Sequence, residues 1–403
     1  MSIAASSAVD LFEDTRLTDP YPTYRSLRDT GPVVRLERHG VWAVPRFAEV
    51  HAVLKNDGLF RSEGGVALTG VVNSGFLSGT VLASDGEQHT QLRRVLSQQL
   101  APRAITKLSK QITDRAHALV EQHVTNGTFD AVALSEEMVG NTVMDLMGLP
   151  ESTRLTLLTE AKAAFDIVGP DNDRYQQALP RAVAMTALLH TTVTRESVRQ
   201  DTWISDIYRA VDESQLDEAQ APRLAAEYTT AGMDTTILGA AEAIVQLARN
   251  PEQWALLRED PGRASSAFHE ALRLEAPIQG FGRFVHEDTD LGGVRIEAGE
   301  QLWLLFGSAG RDRDQWGPTA DTYNLRRRLP SRHLSLGAGR HVCAGSHLAE
   351  MQVIALLRAL ATRCTHLTLA DEPERVLNNV LRGYKQALVT VQFAPGNSGE
   401  REE

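Results

Sequence analysis

Apolar residues recur at helical spacing through most of this chain. Several segments place apolar side chains at i, i+3, i+4 and i+7, the pattern of a helix with one buried face. One of these segments has Pro222 at its start and Asn250-Pro251 at its end, which are typical helix boundary signals. The predicted helices lie near 87–100, 104–124, 131–147, 151–166, 174–199, 222–249, 263–275 and 345–362.

Strand-like alternation is confined to short, scattered stretches near 32–36, 40–44, 292–296, 301–306 and 387–393. The first two flank Arg38-His39-Gly40, which suits a small hairpin. Because strands are few, the predicted fold class is mainly α with a small β region, and a doubly wound sheet is not expected. No repeat or linker divides the sequence, so we expect a single domain over 1–395 and a frayed tail over 396–403.

Composition narrows the classes of function. A chain of 403 residues, 42% of them apolar, can bury enough surface to enclose a cofactor. Its net charge of −11, without a basic segment, argues against a nucleic-acid partner. Cysteine occurs only as Cys343 and Cys364, which favours a reducing compartment. The first residues show neither a signal peptide nor a membrane anchor, so a cytoplasmic protein is expected.

The segment most informative about chemistry is 336–345, which contains Cys343 and precedes a predicted helix. A helix N-terminus just beyond a cysteine stabilises a thiolate through its positive dipole end. Gly337 and Gly339 permit the tight turn that brings backbone N–H groups to the sulfur. Nearby, His341 and Arg340 offer donors for the anionic edge of a cofactor. The segment therefore has the composition of a metal-thiolate loop.

Three other interpretations of the same segment stay open at this point. The run from Gly337 to Gly339 begins like a dinucleotide fingerprint, but Val342 replaces the third glycine. Cys343 could bind zinc with His341 and His347, although no second close pair completes a tetrahedral set. A nucleophilic cysteine needs a partner that the sequence does not identify, and a lone buried cysteine is most often structural.

Residues 336–345 resemble the haem-binding loop of the cytochrome P450 family, Phe-Gly-x-Gly-x-His/Arg-x-Cys-x-Gly. The resemblance implies that Cys343 ligates the iron of haem b, between a long central helix and the helix after the loop. It also implies O2 activation and insertion of one oxygen atom into a small organic molecule. Leu336 departs from the usual Phe and is expected to change packing beneath the haem and its redox potential. Glu350 stands where many bacterial relatives have Arg, with little expected effect on the chemistry.

Glu270 and Arg273 lie three residues apart on one predicted helix. Taken alone, they would be an ordinary surface ion pair worth at most about 1 kcal/mol. They occur at the place of the Glu-x-x-Arg helix of the family, where the pair, with an arginine matching Arg327, braces the haem loop. The resemblance therefore implies a structural role for these three residues.

The long helix 222–249 contains Gly232, which costs roughly 1 kcal/mol relative to Ala in a helix interior. A kinked core helix would account for it. The resemblance implies instead an oxygen pocket beside the haem at Ala231. Asp234 and Thr235 match the acid–alcohol pair that delivers protons for O–O cleavage.

His89 and Arg93 share one face of a helix at i, i+4 spacing. Such a pair is most often part of a solvated surface. The resemblance implies that His89, Arg93, Arg283 and His341 contact the haem propionates, which are carboxylates suited to cationic donors.

The sequence also suggests a redox partner. Relatives of the bacterial kind receive electrons from an iron–sulfur ferredoxin, itself reduced by a flavoprotein. A cluster of arginines precedes and enters the cysteine loop, and it is either a solvated run or a docking patch for an acidic ferredoxin. These arginines are Arg326, Arg327, Arg328, Arg332 and Arg340.

Family topology also places the substrate pocket. Its expected lining is apolar and partly aromatic, which suits a small aromatic or terpenoid molecule. The expected pocket residues are Phe76, Leu77, Phe165, Ile167, Val168, Ile278, Phe281 and Val380.

Further stretches, among them 27–29, 31–34, 48–54 and 291–293, resemble the bacterial branch that oxidises para-substituted benzoates, including O-demethylation of methoxybenzoate. That branch holds the carboxylate partly with a basic loop residue. Here Phe76 lies near that position, and Glu227 would disfavour an anion, although Ser74 or Ser78 could replace the basic group. We therefore predict a small methoxylated or alkylated aromatic substrate, neutral rather than anionic. The alternatives are a biosynthetic monooxygenase of a larger natural product, a haem sensor or carrier, and a metal hydrolase.

Overall fold

A computed structural model describes residues 5–197, 199–328 and 332–393. Helices dominate it, and the predicted helices near 87–100, 131–147, 151–166 and 222–249 are confirmed within one residue at each end. The helices are α1 Asp14–Thr18, α2 Tyr21–Thr30, α3 Phe47–Lys55, α4 Gly70–Val72, α5 Gly86–Leu100, α6 Pro102–Thr106, α7 Ser109–Val124, α8 Ala131–Met147, α9 Glu151–Asp166, α10 Asp173–Thr192, α11 Trp203–Asp212, α12 Ala221–Arg249, α13 Pro251–Glu259, α14 Ala264–Leu274, α15 Phe306–Ala309, α16 Arg313–Trp316 and α17 Ser346–Arg363.

Two predicted helices differ from the observed ones. The helix predicted over 104–124 is divided into α6 and α7, because tight turns at Lys107 and Leu108 bond back three residues instead of four. The helix predicted over 174–199 was too long. Val193 leaves the helical region with φ −83° and ψ 78°, so α10 ends at Thr192.

The strands are short and form small sheets. One sheet has the order β1-β2-β3-β9-β6-β4, another the order β10-β11-β5, and β7 pairs with β8. The predicted hairpin is confirmed, since Val34 pairs with Ala43 across antiparallel β2 and β3. The strands are β1 Ser6–Ser7, β2 Val34–Leu36, β3 Val41–Val44, β4 Phe60–Arg61, β5 Thr128–Asp130, β6 Gly280–Val285, β7 Thr289–Leu291, β8 Val294–Ile296, β9 Gln301–Leu305, β10 Cys364–Leu369 and β11 Leu388–Phe393.

Strand β6 has no counterpart among the predicted strands, because its glycines interrupt the alternation of apolar and polar residues that indicates a strand. A Cβ atom on Gly280 would lie 2.6 Å from the carbonyl oxygen of Leu304, and one on Gly282 would lie 2.1 Å from that of Gly65. Only glycine fits where backbones approach this closely. The strand therefore carries Arg283 into the protein interior, where it is buried.

Helix α12 forms the centre of the largest hydrophobic core. It packs against α8, α9, α14 and α17, and its residues from Thr236 to Ala248 are buried without interruption. Earlier on the helix, Ala231, Gly232 and Thr235 keep accessible surface. Together with Arg223 and Glu227, which are also accessible, these residues show that the first half of α12 borders an open space. Among the described helices, none combines the length and the apolar character needed to cross a membrane.

Candidate active site

Cys343 lies between a 3₁₀ turn, Gly339–His341, and the N-terminus of α17. Its own N–H donates to the carbonyl oxygen of Leu336 over 2.8 Å, and the N–H groups of Gly345 and Ser346 donate to the sulfur. Burial raises the pKa of the thiol, while these donors and Arg93 oppose the rise. The Cys343 side chain nevertheless keeps accessible surface, so a ligand can reach it. This is the environment that a thiolate ligand requires.

Two glycines allow the cysteine loop to turn. Gly337 and Gly339 have φ values of 72° and 68°, in the left-handed region that favours glycine. A Cβ atom on Gly339 would lie 2.2 Å from the carbonyl oxygen of Leu54, near the end of α3. The loop is thus packed backbone against backbone on a neighbouring helix, which fixes the position of the cysteine.

His89 is a buried polar side chain. It is 2% exposed, and within the described part of the chain neither of its ring nitrogens has a hydrogen-bond partner. Burial, together with the positive charges of His341 and Arg93, lowers its pKa to about 4. Because buried polar groups are nearly always satisfied, these nitrogens indicate a ligand that supplies the missing contact.

Two arginines complete this cationic region. Arg93 donates from Nη2 to the carbonyl oxygen of Val342 over 2.6 Å, and burial lowers its pKa. Arg283 donates from Nη1 to the carbonyl oxygen of Gly282, and burial lowers its pKa to about 10 despite the charge of Asp85. Neither guanidinium forms an ion pair with a carboxylate of the described residues, which fits an anionic group such as a haem propionate.

His341 already has protein partners. Its Nε2 lies 3.3 Å from Oδ1 of Asp85 and 3.2 Å from the hydroxyl of Ser62. Its ring centroid lies 4.3 Å from that of His89. The structure therefore brings His89, Arg93 and His341 together around the cysteine loop. The zinc interpretation does not fit, since no group of three His, Cys, Asp or Glu side chains among the described residues is arranged to hold a metal.

Asp234 and Thr235 are neighbours on α12, the first buried and the second partly accessible. The Asp234 carboxyl is 1% exposed, its Oδ2 has no hydrogen-bond partner among the described residues, and burial raises its pKa to about 7. The hydroxyl of Thr235 donates to the carbonyl oxygen of Ala231 over 2.8 Å. A carboxyl group with a pKa near neutrality can both release and accept a proton under physiological conditions.

Glu270 forms a buried cluster with two arginines. Both of its oxygens accept from Arg273, at 2.8 and 2.9 Å, and Oε1 also accepts from Arg327 at 2.8 Å. The side chains of Glu270 and Arg273 are fully buried, unlike those of a surface pair. Arg327 is therefore held in this cluster and does not belong to the exposed arginine patch predicted with it.

Glu350 has an unexpected set of partners. Its carboxylate lies 3.3 Å from Nε2 of His269, whose Nδ1 lies 3.1 Å from Nε2 of His333. The N–H of Ser335 donates to Nδ1 of His333. The chain of contacts thus runs from α17 to the residue before Leu336, and the hydrogen bonds to His269 and Ser265 lower the pKa of Glu350 to about 2. The negative charge at this position is thus paired with a histidine.

A cavity of about 200 Å³ lies beside the accessible stretch of α12. Most of the predicted pocket residues line it, whereas Ile278 and Val380 lie outside the lining. Ile278 is instead held by a backbone bridge to Leu381, and Val380 is 1% exposed. A larger cleft of about 680 Å³ is open to the surface beside Arg340 and includes no residue of α12. The predicted residues that do line the cavity are Phe76, Leu77, Phe165, Ile167, Val168 and Phe281.

The cavity also contains two charged residue types, Glu227, which the sequence analysis placed near the substrate, and Arg223, which it missed. Arg223 and Glu227, one helical turn apart on α12, both line it. Arg223 donates to the carbonyl oxygen of Ser78 over 2.6 Å, and the N–H of Val81 donates to Glu227 over 2.7 Å. Their i, i+4 spacing was visible in the sequence, but it did not show which face of α12 points into the cavity.

The comparisons with known proteins agree with this geometry. The family model described as Cytochrome P450 matches residues 190–391. Cytochrome p450 CYP199A2 of Rhodopseudomonas palustris is 34% identical, over 96% of this chain and 94% of its own. Cytochrome P450-terp of a Pseudomonas species is 29% identical, over 93% of each chain.

Solved structures show the same architecture. P450BioI, crystallised with an acyl carrier protein ligated to hexadec-9Z-enoic acid, matches with a TM-score of 0.82 and 26% identity, covering 94% of this chain and all of its own. CYP108D1 from Novosphingobium aromaticivorans matches with a TM-score of 0.81 and 25% identity, covering 93% of this chain and 95% of its own. Proteins of this family bind haem b through a cysteine thiolate. With a relative 34% identical across nearly its whole length, the chain belongs to the cytochrome P450 family.

Proposed function

We propose that this P450 monooxygenase hydroxylates or O-dealkylates a small para-substituted or methoxylated aromatic compound, with electrons from a ferredoxin, in the cytoplasm. Haem b bound through Cys343 supplies the activation of dioxygen. The observation that carries the proposal is the apolar, partly aromatic cavity beside Ala231. The single domain proposed for 1–395 contains every residue of this site, while the proposed tail over 396–403 lies outside the described residues.

Cavity size favours a small substrate. Pockets for drug-sized ligands typically measure roughly 300–1,000 Å³, whereas this cavity measures about 200 Å³. Phe76, Phe165 and Phe281 line it from three different parts of the chain and present ring surface to a flat molecule. The alternative of a larger natural product would require the cavity to expand.

The electrostatics of the cavity favour a neutral substrate, although for a different reason than the sequence suggested. Burial raises the pKa of Glu227 to about 8, so that this carboxyl is mainly protonated at neutral pH and does not repel an anion by its charge. Ser74 does not act as a clamp for a carboxylate, since its hydroxyl donates to the carbonyl oxygen of Gly70. Arg223 uses one N–H of its guanidinium on the carbonyl oxygen of Ser78 and is exposed to solvent. A carboxylate buried among the phenylalanines would therefore lack a buried cationic partner among these residues.

The proton route that we propose starts at Asp234. Its unpartnered oxygen and a pKa near 7 allow it to release a proton at neutral pH and to be reprotonated. Thr235 holds its hydroxyl on the carbonyl oxygen of Ala231, beside the cavity. A haem sensor or carrier has no need of this acid–alcohol pair, which is why we favour an enzyme.

The ferredoxin surface that we propose surrounds the cysteine loop. Arg326, Arg328, Arg332 and Arg340 are exposed to solvent, and Arg340 also pairs with Asp57. Val342, the residue before Cys343, is 43% exposed. An acidic ferredoxin would be steered by the arginines, so reversing the charge of Arg328 and Arg332 should slow reduction and weaken its dependence on salt. If the reduction rate and its salt dependence stayed unchanged in these variants, the proposal that the arginines bind the ferredoxin would be rejected.

A ligand screen tests the proposed substrate class. The holoenzyme is titrated with 4-methylanisole, 4-methoxybenzoate and a macrolide, and the spin shift of the haem reports binding. We expect the anisole to bind and to lose its methyl group as formaldehyde during turnover. Tighter binding of 4-methoxybenzoate would overturn the neutral preference, and a shift with the macrolide alone would favour the natural-product alternative.

A further inference from the structure

Glu227 is the acidic residue that lines the apolar cavity. It stands one turn before Ala231 on α12, which is about 6 Å along the helix axis, the scale of one aromatic ring. Its neighbours in the lining are mainly apolar, including Phe76, Leu77 and Ala226. A carboxyl group in such a place is costly unless it has hydrogen-bond partners, so its presence requires an explanation.

Backbone N–H groups satisfy part of the hydrogen-bonding capacity of the Glu227 carboxyl group. The N–H of Val81 donates to Oε1 over 2.7 Å, and the N–H of Leu82 also stabilises the carboxylate. Among the described residues Glu227 forms no ion pair, and the positive charge that acts on its carboxyl group is that of Arg93. A carboxyl group can take part in more hydrogen bonds than these two, and when protonated it has an O–H to donate.

The groups around Glu227 determine when it is protonated. Burial raises its pKa to about 8, and the two backbone donors and the charge of Arg93 only partly offset this rise. Arg223 and His190 also line the cavity; Arg223 is exposed to solvent and donates one N–H to the carbonyl oxygen of Ser78. Tyr228, next in the chain, donates to the carbonyl oxygen of Leu96 and does not reach Glu227. At neutral pH the protonated acid therefore predominates.

We propose that Glu227 determines specificity by donating a hydrogen bond to a neutral acceptor, such as a ketone, ester or amide carbonyl, at the end of the aromatic substrate remote from the oxidised group. This inference rests on the proposed function, and it names the substituent that the cavity selects. A site built to hydrogen-bond a polar substituent discriminates against the analogue that lacks it. Glu227 acts on binding and does not take part in the proton route of Asp234.

The test compares two ligands that differ only in a carbonyl group, 4-methoxyacetophenone and 4-ethylanisole. Their dissociation constants are measured from the spin shift of the holoenzyme and of the variants Glu227→Gln and Glu227→Leu. Because Glu227 also holds the 81–82 segment, a variant could weaken both ligands equally. The ratio of the two constants cancels that effect, so it separates recognition from a merely structural role.

We expect the wild-type protein to favour the ketone by roughly fivefold, the value of one neutral hydrogen bond. Glu227→Gln, which keeps an N–H donor, should retain most of this preference, and Glu227→Leu should reduce it to about one. Above pH 8 the preference should fall in the wild type and persist in Glu227→Gln. Thr186→Val is the control, since the Thr186 hydroxyl is already bonded to Ala182 and its loss should leave the ratio unchanged.

Several outcomes would overturn the inference. The proposed role of Glu227 is rejected if the wild-type protein binds the two ligands equally well, or if Glu227→Leu still prefers the ketone. Either result leaves the proposed aromatic substrate class unaffected. Tighter binding of 4-methoxybenzylamine than of the ketone would show that Glu227 acts as an anion for a cationic ligand. If neither anisole perturbs the spectrum, the aromatic substrate class is lost together with this inference.

Discussion

Arg93 donates a hydrogen bond of 2.6 Å to the carbonyl oxygen of Val342, the residue directly before Cys343. This contact joins α5 to the cysteine loop and brings a positive charge close to the sulfur. The same guanidinium donates from Nε to the hydroxyl of Ser97, one turn later on its own helix. Arg93 is thus held from both sides in a fixed position near the proposed iron ligand.

The first prediction concerns the retention of haem. Replacing Arg93 by Leu removes a charged hydrogen bond to the loop and a proposed propionate contact, so haem should dissociate about tenfold faster, since hydrogen bonds of charged groups contribute roughly 1.5–3 kcal/mol. The measurement is the rate of haem transfer to a scavenger protein. The control is Arg94→Leu, which changes an exposed arginine next to it. Equal rates in the two variants would contradict the proposed role of Arg93.

The second prediction concerns the proton route. Asp234→Asn should lower turnover about 100-fold, the usual effect of losing a general acid, while Asp234→Glu should retain part of the rate. Because the donor must be protonated, wild-type turnover should fall as the pH rises through about 7. Product formation measured across pH checks this, and the decline should be missing in Asp234→Asn. A wild-type profile that is flat near neutrality would exclude Asp234 as the donor.

Asp234 should also affect stability in a defined direction. Burial raises its pKa from 3.8 to about 7, so the folded protein binds this proton more tightly than the unfolded chain. The resulting stabilisation is complete below pH 3.8 and is lost as the pH rises towards 7, at no more than about 1.4 kcal/mol per pH unit. Denaturant unfolding at several pH values should show this slope in the wild type relative to Asp234→Asn.

The fourth prediction concerns the buried cluster of Glu270, Arg273 and Arg327. Glu270→Ala leaves two guanidinium groups without their carboxylate, so the free energy of unfolding should fall by about 3–5 kcal/mol. The control is Asp114→Ala, which breaks an exposed pair with Lys110 and should cost at most about 1 kcal/mol. Denaturant midpoints of the haem-loaded proteins give both values. If the free energy of unfolding fell by similar amounts in the two variants, the buried cluster would stabilise the protein no more than an exposed ion pair does.

Much of the fold was predictable, because apolar periodicity and boundary residues indicate long helices in the sequence. Helix α12 is the best example, with Pro222 at its start and Asn250 at its end. Strand β6 was missed since Gly280 and Gly282 are required by close backbone approaches that only the folded protein contains. Local pattern carries no information about such distant neighbours.

The candidate site was predictable to a similar degree. The cysteine loop and Asp234-Thr235 could be found because their residues are contiguous. The sequence did not show that Arg327 turns inward to Glu270, that His269 faces Glu350, or that Glu227 is protonated in the cavity. Each of these features depends on burial and on contacts between segments far apart in the chain, so only the tertiary structure shows them.

The central claim is that Cys343 supplies the thiolate for the haem iron. The most direct measurement is the difference spectrum of the reduced, haem-loaded protein with carbon monoxide, for the wild type and for Cys343→Ala, with Cys364→Ala as the matched control. The account predicts the long-wavelength Soret band of a thiolate-ligated complex in the wild type and in Cys364→Ala, and its loss in Cys343→Ala. A Cys343→Ala variant that keeps this band, or a wild type that lacks it, would contradict the account.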